Sequence, residues 1–215
     1  MTACIACALA GVCQPAVFVV DDDAAIRDSL VFLLASLGHP VQAYASAETF
    51  LAAGHADRPG CLVLDVRMPG MSGLELQQAL NQAYAALSVV FISGHGDIPM
   101  VVRAMRGGAI TFLEKPFNDQ MLLDHVAIGL HASAERCAAA HSVARVCERL
   151  EQLTQRERDV LDRVVLGRQN KQIAHDLDIS IKTVETHRAH VMVKMEAASV
   201  ADLTRMLLAT TAGKP

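Results

Sequence analysis

The sequence has no tryptophan, and aromatic residues make up 4% of it. The apolar positions available for a core are therefore mostly aliphatic. The apolar stretch Met1–Val12 lacks the basic segment that begins a secretory signal, so it does not read as one. No other uncharged apolar run approaches the length of a membrane-crossing helix. Six cysteines (4, 7, 13, 61, 137 and 147) do not make a disulfide framework in a 215-residue chain without a secretory signal. Cys4-x-x-Cys7 with Cys13 has no fourth metal ligand close by. No strand precedes it, as a redox motif would require, so residues 1–15 read as a disordered tail. The expectation is a cytoplasmic, reduced protein with no membrane partner.

A strong charge of one sign is also missing. The net charge is −4, but it divides unevenly. Residues 1–130 hold 6 Lys and Arg against 12 Asp and Glu, whereas residues 154–215 hold 10 against 8. An acidic front and a mildly basic back suggest two domains with different partners. The basic excess is too small to argue for nucleic acid by itself.

The front half alternates short apolar runs with helical periodicity. Val17–Val20, Val41–Tyr44, Leu62–Asp65, Val89–Ile92 and Ile110–Leu113 read as strands. Leucine-rich stretches of helical spacing lie between them, with Gly38 at the first C-cap and a helix start at Ser72. Five consecutive strand–helix units predict an α/β fold: a doubly wound five-stranded parallel sheet. Strands apolar throughout suit a sheet covered on both faces.

Polar residues gather where these strands end. Asp21 and Asp22 follow the first, Asp65 ends the third, Ser93 follows the fourth and Lys115 the fifth. Such ends converge on the carboxyl edge of a parallel sheet, where ligands bind. Single acidic residues there are often helix caps, but five polar groups at four strand ends exceed what capping needs. Three carboxylates without His or Cys describe a site for a hard cation such as Mg2+. A carboxylate beside that cation is a nucleophile toward phosphorus, with Lys115 and the Ser93 hydroxyl placed to stabilise phosphoryl oxygens. No general base for water is present, which suits phosphoryl acceptance better than hydrolysis.

The blocks VFVVDDDAAIR, LVLDVRMPGMSGLE, VVFISGHGDIP and FLEKPF, in this order, resemble the receiver domain of two-component response regulators, over about residues 16–130. The resemblance implies a flavodoxin-like receiver at 16–131. It makes Asp65 the phosphoacceptor from a sensor histidine kinase. Mg2+ (or Mn2+) would be held by Asp21, Asp22, Asp65 and the backbone carbonyl of Arg67. Ser93 and Lys115 would contact the phosphoryl group, and Lys115–Pro116 would be a cis peptide. Phe112 matches the aromatic switch position that acts with Ser93, although taken alone it reads as a core strand residue.

From Asp119 to Leu153 there is no proline and one glycine, Gly129. This predicts a long helix, with residues 132–149 as a linker. Its seam of Val143, Val146, Leu150 and Leu153 either packs on the next domain or dimerises. Beyond it, Thr154 and Glu157 form a capping box. Asn170 is expected to cap a second helix, and Ser180 a third over Ile181–Met195. A fourth covers Val200–Leu208.

A charged third helix is by itself more often a solvated face than a DNA-binding one. However, LTQRERDVLDRVVLG, NKQIAHDLDIS and KTVETHRAHVMVKM resemble the LuxR/FixJ-type helix-turn-helix. That resemblance implies a small all-α DNA-binding domain at 150–212. The third helix would then enter the major groove of promoter DNA, with Glu185, Thr186 and Ala189 facing bases. Lys182, Thr183, Arg188 and Lys194 would grip phosphates, joined by Asn170 and Lys171 at a helix N-terminus. Together these imply a phosphorylation-dependent transcriptional regulator that forms a homodimer when phosphorylated, with RNA polymerase a further partner. A phosphate sink or protein-binding receiver and an aspartyl-phosphate phosphatase are the alternatives. The first leaves the third helix unexplained. The second wants an acid near the nucleophile, where this chain has Arg67.

Overall fold

A computed structural model describes residues 14–55, 58–83, 86–94 and 96–212. Cys4, Cys7 and Cys13 lie outside the described residues. The chain divides into two compact units, with the boundary between Ala138 and Ala139.

The first unit holds strands β1 (Ala16–Val20), β2 (Val41–Tyr44), β3 (Gly60–Asp65), β4 (Ser88–Ser93) and β5 (Thr111–Glu114). They pair in the order β2-β1-β3-β4-β5, all parallel. This is the doubly wound arrangement expected from the alternation. Among the described residues, the helices of this unit are α1 (Ala24–Ala35), α2 (Ala47–Ala52), α3 (Gly73–Ala83), α4 (Ile98–Arg106) and α5 (Asp119–Glu151), the last running on into the second unit.

Alternate strand residues feed two cores. Phe18, Val20, Leu62, Leu64 and Phe91 face α2 to α4. Val17, Val19, Val63, Val90 and Ile92 face α1 and the first half of α5. The central strands β1, β3 and β4 are buried along their whole length, which accounts for their unbroken apolar character. Gly60, Ser88 and Ser93 extend strands beyond the apolar runs, because ladder hydrogen bonds recruit small residues irrespective of polarity.

The helix starts are mostly chemical. Asp23 caps α1 by accepting from Ala25 and Ile26 N–H. Ser46 caps α2, and Asn118 accepts from the Gln120 and Met121 amides at the start of α5. The end of α1 differs from expectation: Ser36 is its C-cap, and Gly38, at φ +71°, turns the chain two residues later.

The second unit continues α5 and adds α6 (Gln155–Val165), α7 (Asn170–Leu177), α8 (Ile181–Lys194) and α9 (Val200–Ala212). Val146 and Leu153 are buried with Val160, Leu161, Ile173, Val184, Val191 and Met195 in one core, with Leu150 packed against it. Three of the four seam residues, Val146, Leu150 and Leu153, are therefore engaged within their own unit. Thr154 and Glu157 close the expected capping box, and Ser180 caps α8 through the Thr183 amide. The expectation for α7 is corrected: Gln169 occupies the N-cap position and Asn170 is the first helical residue. The Asn170 side-chain oxygen is engaged instead by Arg188, 2.8 Å away. Among the described residues no helix is long and apolar enough to cross a membrane.

Candidate functional site

The carboxyl edge of the sheet brings three of the singled-out side chains into direct contact. Lys115, just past β5, places its Nζ 2.9 Å from Asp65 Oδ1 and 2.8 Å from Asp21 Oδ2. Asp65 and Asp21 are 6% and 1% exposed, so two nearly buried carboxylates share one ammonium. The other Asp65 oxygen accepts from the Arg67 amide at 2.7 Å. Asp21 accepts from the Asp23 amide through Oδ1, and its carbonyl accepts from the Arg27 guanidinium.

Burial pushes the Asp65 carboxyl above the usual carboxylate range; Lys115 and the Arg67 amide pull it down, and the Asp21 charge adds to the rise. Burial works to lower the Lys115 ammonium too, but hydrogen bonds to Asp21 and Asp65 outweigh it, and its pKa is raised.

The run Asp21-Asp22-Asp23 thus separates into three environments. Asp21 is turned inward to Lys115, Asp22 is exposed, and Asp23 caps α1. Arg67 is exposed. The turn after β3 is fixed from α2, since Glu48 Oε1 accepts from the Met71 amide at 2.8 Å. Helix α3 begins against the floor of the crevice: a Cβ on Gly73 would lie 2.2 Å from the Asp65 carbonyl oxygen. Ser93 is buried at the end of β4, one position past the residue that pairs with Asp65, and its carbonyl accepts from the Lys115 amide at 2.8 Å. Lys115–Pro116 is cis. Phe112 is half-buried, stacked on Phe91 at 6.2 Å between centroids, and a Cβ on Gly96 would touch its ring.

In the second unit α8 packs on α6 and α7, burying Val184 and Val191. Lys182, Glu185, Thr186, Ala189 and Val193 form one exposed stripe at helical spacing. Lys171 is exposed at the start of α7. Arg188 and Lys194 are half-buried and engaged, Arg188 on Asn170 and Lys194 Nζ at 2.6 Å from Glu157 Oε2. Glu157 itself is buried; the Lys194 ammonium, then the Thr154 amide, hold its carboxyl down to about 2.

Two family models match, "Response regulator receiver domain" over residues 17–127 and "Bacterial regulatory proteins, luxR family" over residues 151–207. The transcriptional regulatory protein FixJ of Azorhizobium caulinodans is 50% identical over 192 residues, covering 89% of this chain and 91% of the relative. Nodulation protein W of Bradyrhizobium diazoefficiens is 47% identical, covering 88% of this chain and 84% of the relative. Among solved structures, the response regulator StyR matches with a TM-score of 0.83 and 46% identity, covering 91% of this chain and 98% of that one. The chain belongs to the response regulators with a LuxR-type output domain. This response regulator is a phosphorylation-dependent DNA-binding transcriptional regulator.

Sequence reasoning placed the receiver residues at one sheet edge but missed Arg27, whose guanidinium reaches the Asp21 carbonyl at 2.8 Å. Its position, one turn into the helix after the aspartate run, was the available signal. The Glu157–Lys194 contact spans 37 residues and had no local signal. It gives the capping glutamate of the response regulator's output domain a second partner.

Proposed function

We propose that Asp65 is the phosphoacceptor of this response regulator and that a sensor histidine kinase is the donor. An Asp65 carboxylate oxygen attacks the phosphorus of a phosphohistidine. The P–O bond forms, the P–N bond breaks, and the imidazole leaves with the electron pair. The observation that carries this reading is the Lys115 ammonium held against both Asp65 and Asp21. It is a cation already placed where phosphoryl charge would arrive. The Ser93 hydroxyl is assigned the second phosphoryl contact.

Asp21, Asp22 and Asp65, with the Arg67 carbonyl, would hold Mg2+ (or Mn2+). The donors fit, because they are all oxygen and the three carboxylates exceed the single ammonium by two charges. When bound, the ion neutralises charge on the oxygens in transfer.

In this reading Ser93 and Phe112 form the switch, and modification of Asp65 favours a homodimer. Residues 16–131 receive the signal, 132–149 connect, and 150–212 bind promoter DNA in the cytoplasm, with RNA polymerase as a further partner. Glu185, Thr186 and Ala189 face bases. Lys182, Thr183, Asn170 and Lys171 meet the backbone. Arg188 and Lys194 also serve phosphates, exchanging Asn170 and Glu157 for them.

The test is a small phosphodonor with Mg2+, given to the native protein and to Asp65→Asn. The native protein gains one phosphoryl mass, dimerises and binds promoter DNA more tightly; the variant does none of these. Equal mass gain, dimerisation and DNA binding in both would overturn the assignment.

A further inference from the structure

The output unit holds a cluster of donors that neither phosphoryl acceptance nor DNA contact employs. One ligand atom from each of Glu157, His187 and His190 lies within 4.8 Å of the others. His187 and His190 are one turn apart on α8, and Glu157 reaches them from the first turn of α6. We propose that these three side chains bind one divalent transition-metal ion of the zinc type.

The carboxylate is already divided between two tasks. Its Oε2 accepts from Lys194 at 2.6 Å and from the Thr154 amide at 2.9 Å. Its Oε1 lies 3.5 Å from His190 Nδ1. Ligands of a tetrahedral ion with bonds of about 2.0–2.1 Å stand about 3.4 Å apart. One pair is therefore at metal-binding separation without any rearrangement.

The second observation is His187 Nδ1, which is buried and has no hydrogen-bond partner. A buried ring nitrogen without a partner bears a desolvation cost that coordination would offset. Two imidazoles and one carboxylate suit Zn2+ and its neighbours, whereas Mg2+ prefers all-oxygen sites. His190 is more than half exposed, so solvent water can supply a further ligand. Lys194 opposes a second cation at Glu157, so occupancy weakens the Lys194 contact. The ion would tie α8, which carries the exposed stripe, to the start of α6.

The test uses the full chain carrying Cys4→Ser, Cys7→Ser, Cys13→Ser and Cys147→Ser, which removes competing thiols. Excess Mg2+ competes with zinc for the oxygen site proposed at Asp65. Calorimetric titration with ZnCl2 alone should show one equivalent bound, and Zn2+ should raise the melting temperature of the output unit. His190→Gln, altering an exposed side chain, should melt like its parent without metal and lose both responses; His187→Gln should also lose the bound equivalent. Unchanged zinc stoichiometry and affinity in His190→Gln, or no zinc binding by the parent, would overturn the site.

Discussion

Each unit of this response regulator pairs a buried carboxylate with a lysine, and the two carboxylates respond in opposite directions. In the receiver, burial raises Asp65 although Lys115 lies 2.9 Å away. In the output unit, Lys194 at 2.6 Å lowers Glu157 to about 2. The first difference is burial, which dominates at Asp65 and is outweighed by hydrogen bonds at Glu157; the second is sharing. Lys115 is divided between Asp65 and Asp21, and Asp65 has one backbone donor besides. The Glu157 carboxylate accepts from Lys194 and from the Thr154 amide. A lysine contact alone therefore does not set the direction of a carboxylate's shift; the balance of burial against donors does.

The largest expected effect tests how the receiver crevice is built. Gly73→Ala puts a Cβ 2.2 Å from the Asp65 carbonyl oxygen, and backbone cannot yield as a flexible side chain would. The receiver should lose about 3 kcal/mol, read from its urea unfolding midpoint, while the output unit's transition stays in place. An unmoved midpoint would mean that α3 does not press on β3.

Next comes Glu157→Ala, which breaks the cap and leaves Lys194 without its carboxylate. The output unit should be destabilised by roughly 2 kcal/mol, followed by chemical denaturation. Asp65→Asn should do the reverse in the receiver. Because burial disfavours ionised Asp65, removing its charge should raise receiver stability by up to ~1 kcal/mol at neutral pH. A drop instead would show that Lys115 more than compensates the burial, and the contrast between the two carboxylates would fail.

The smallest effect at neutral pH appears only in acid. Glu157 is depressed in the fold, so its contribution is complete above its ordinary value of 4.5. It is lost as pH falls from there through about 2. Acid unfolding of the output unit, compared with Glu157→Gln, should show a shallower loss in the variant across that window. Parallel curves would remove Glu157 as the cause.

Much of the fold was legible because burial on both sheet faces writes long apolar runs, as in Val17–Val20 and Leu62–Leu64. The strand ends were less legible, since Gly60 and Ser88 join through backbone bonds that no side chain announces. The strand-end polar groups were legible as a set, because a parallel sheet gathers its carboxyl ends. Their division of labour was not. Nothing in Asp21-Asp22-Asp23 says which carboxylate turns inward, which stays in solvent and which caps α1. Asn170 was misplaced as a cap for a similar reason: its partner, Arg188, comes from another helix.

Helix α5 serves both units with different residues. Leu122, Val126 and Leu130 enter one core, and Val146 the other. Ser133 accepts from the Gly60 amide and donates to the Ala86 carbonyl, and Arg136 donates to the Ser88 hydroxyl, so the receiver's claim on the helix extends that far. Between Arg136 and Val146 the run Ala138-Ala139-Ala140 enters neither core. A natural exchange point follows. Chains spliced within that alanine run would inherit a whole sensor module from one parent and a whole output module from the other, with each core's residues from a single source.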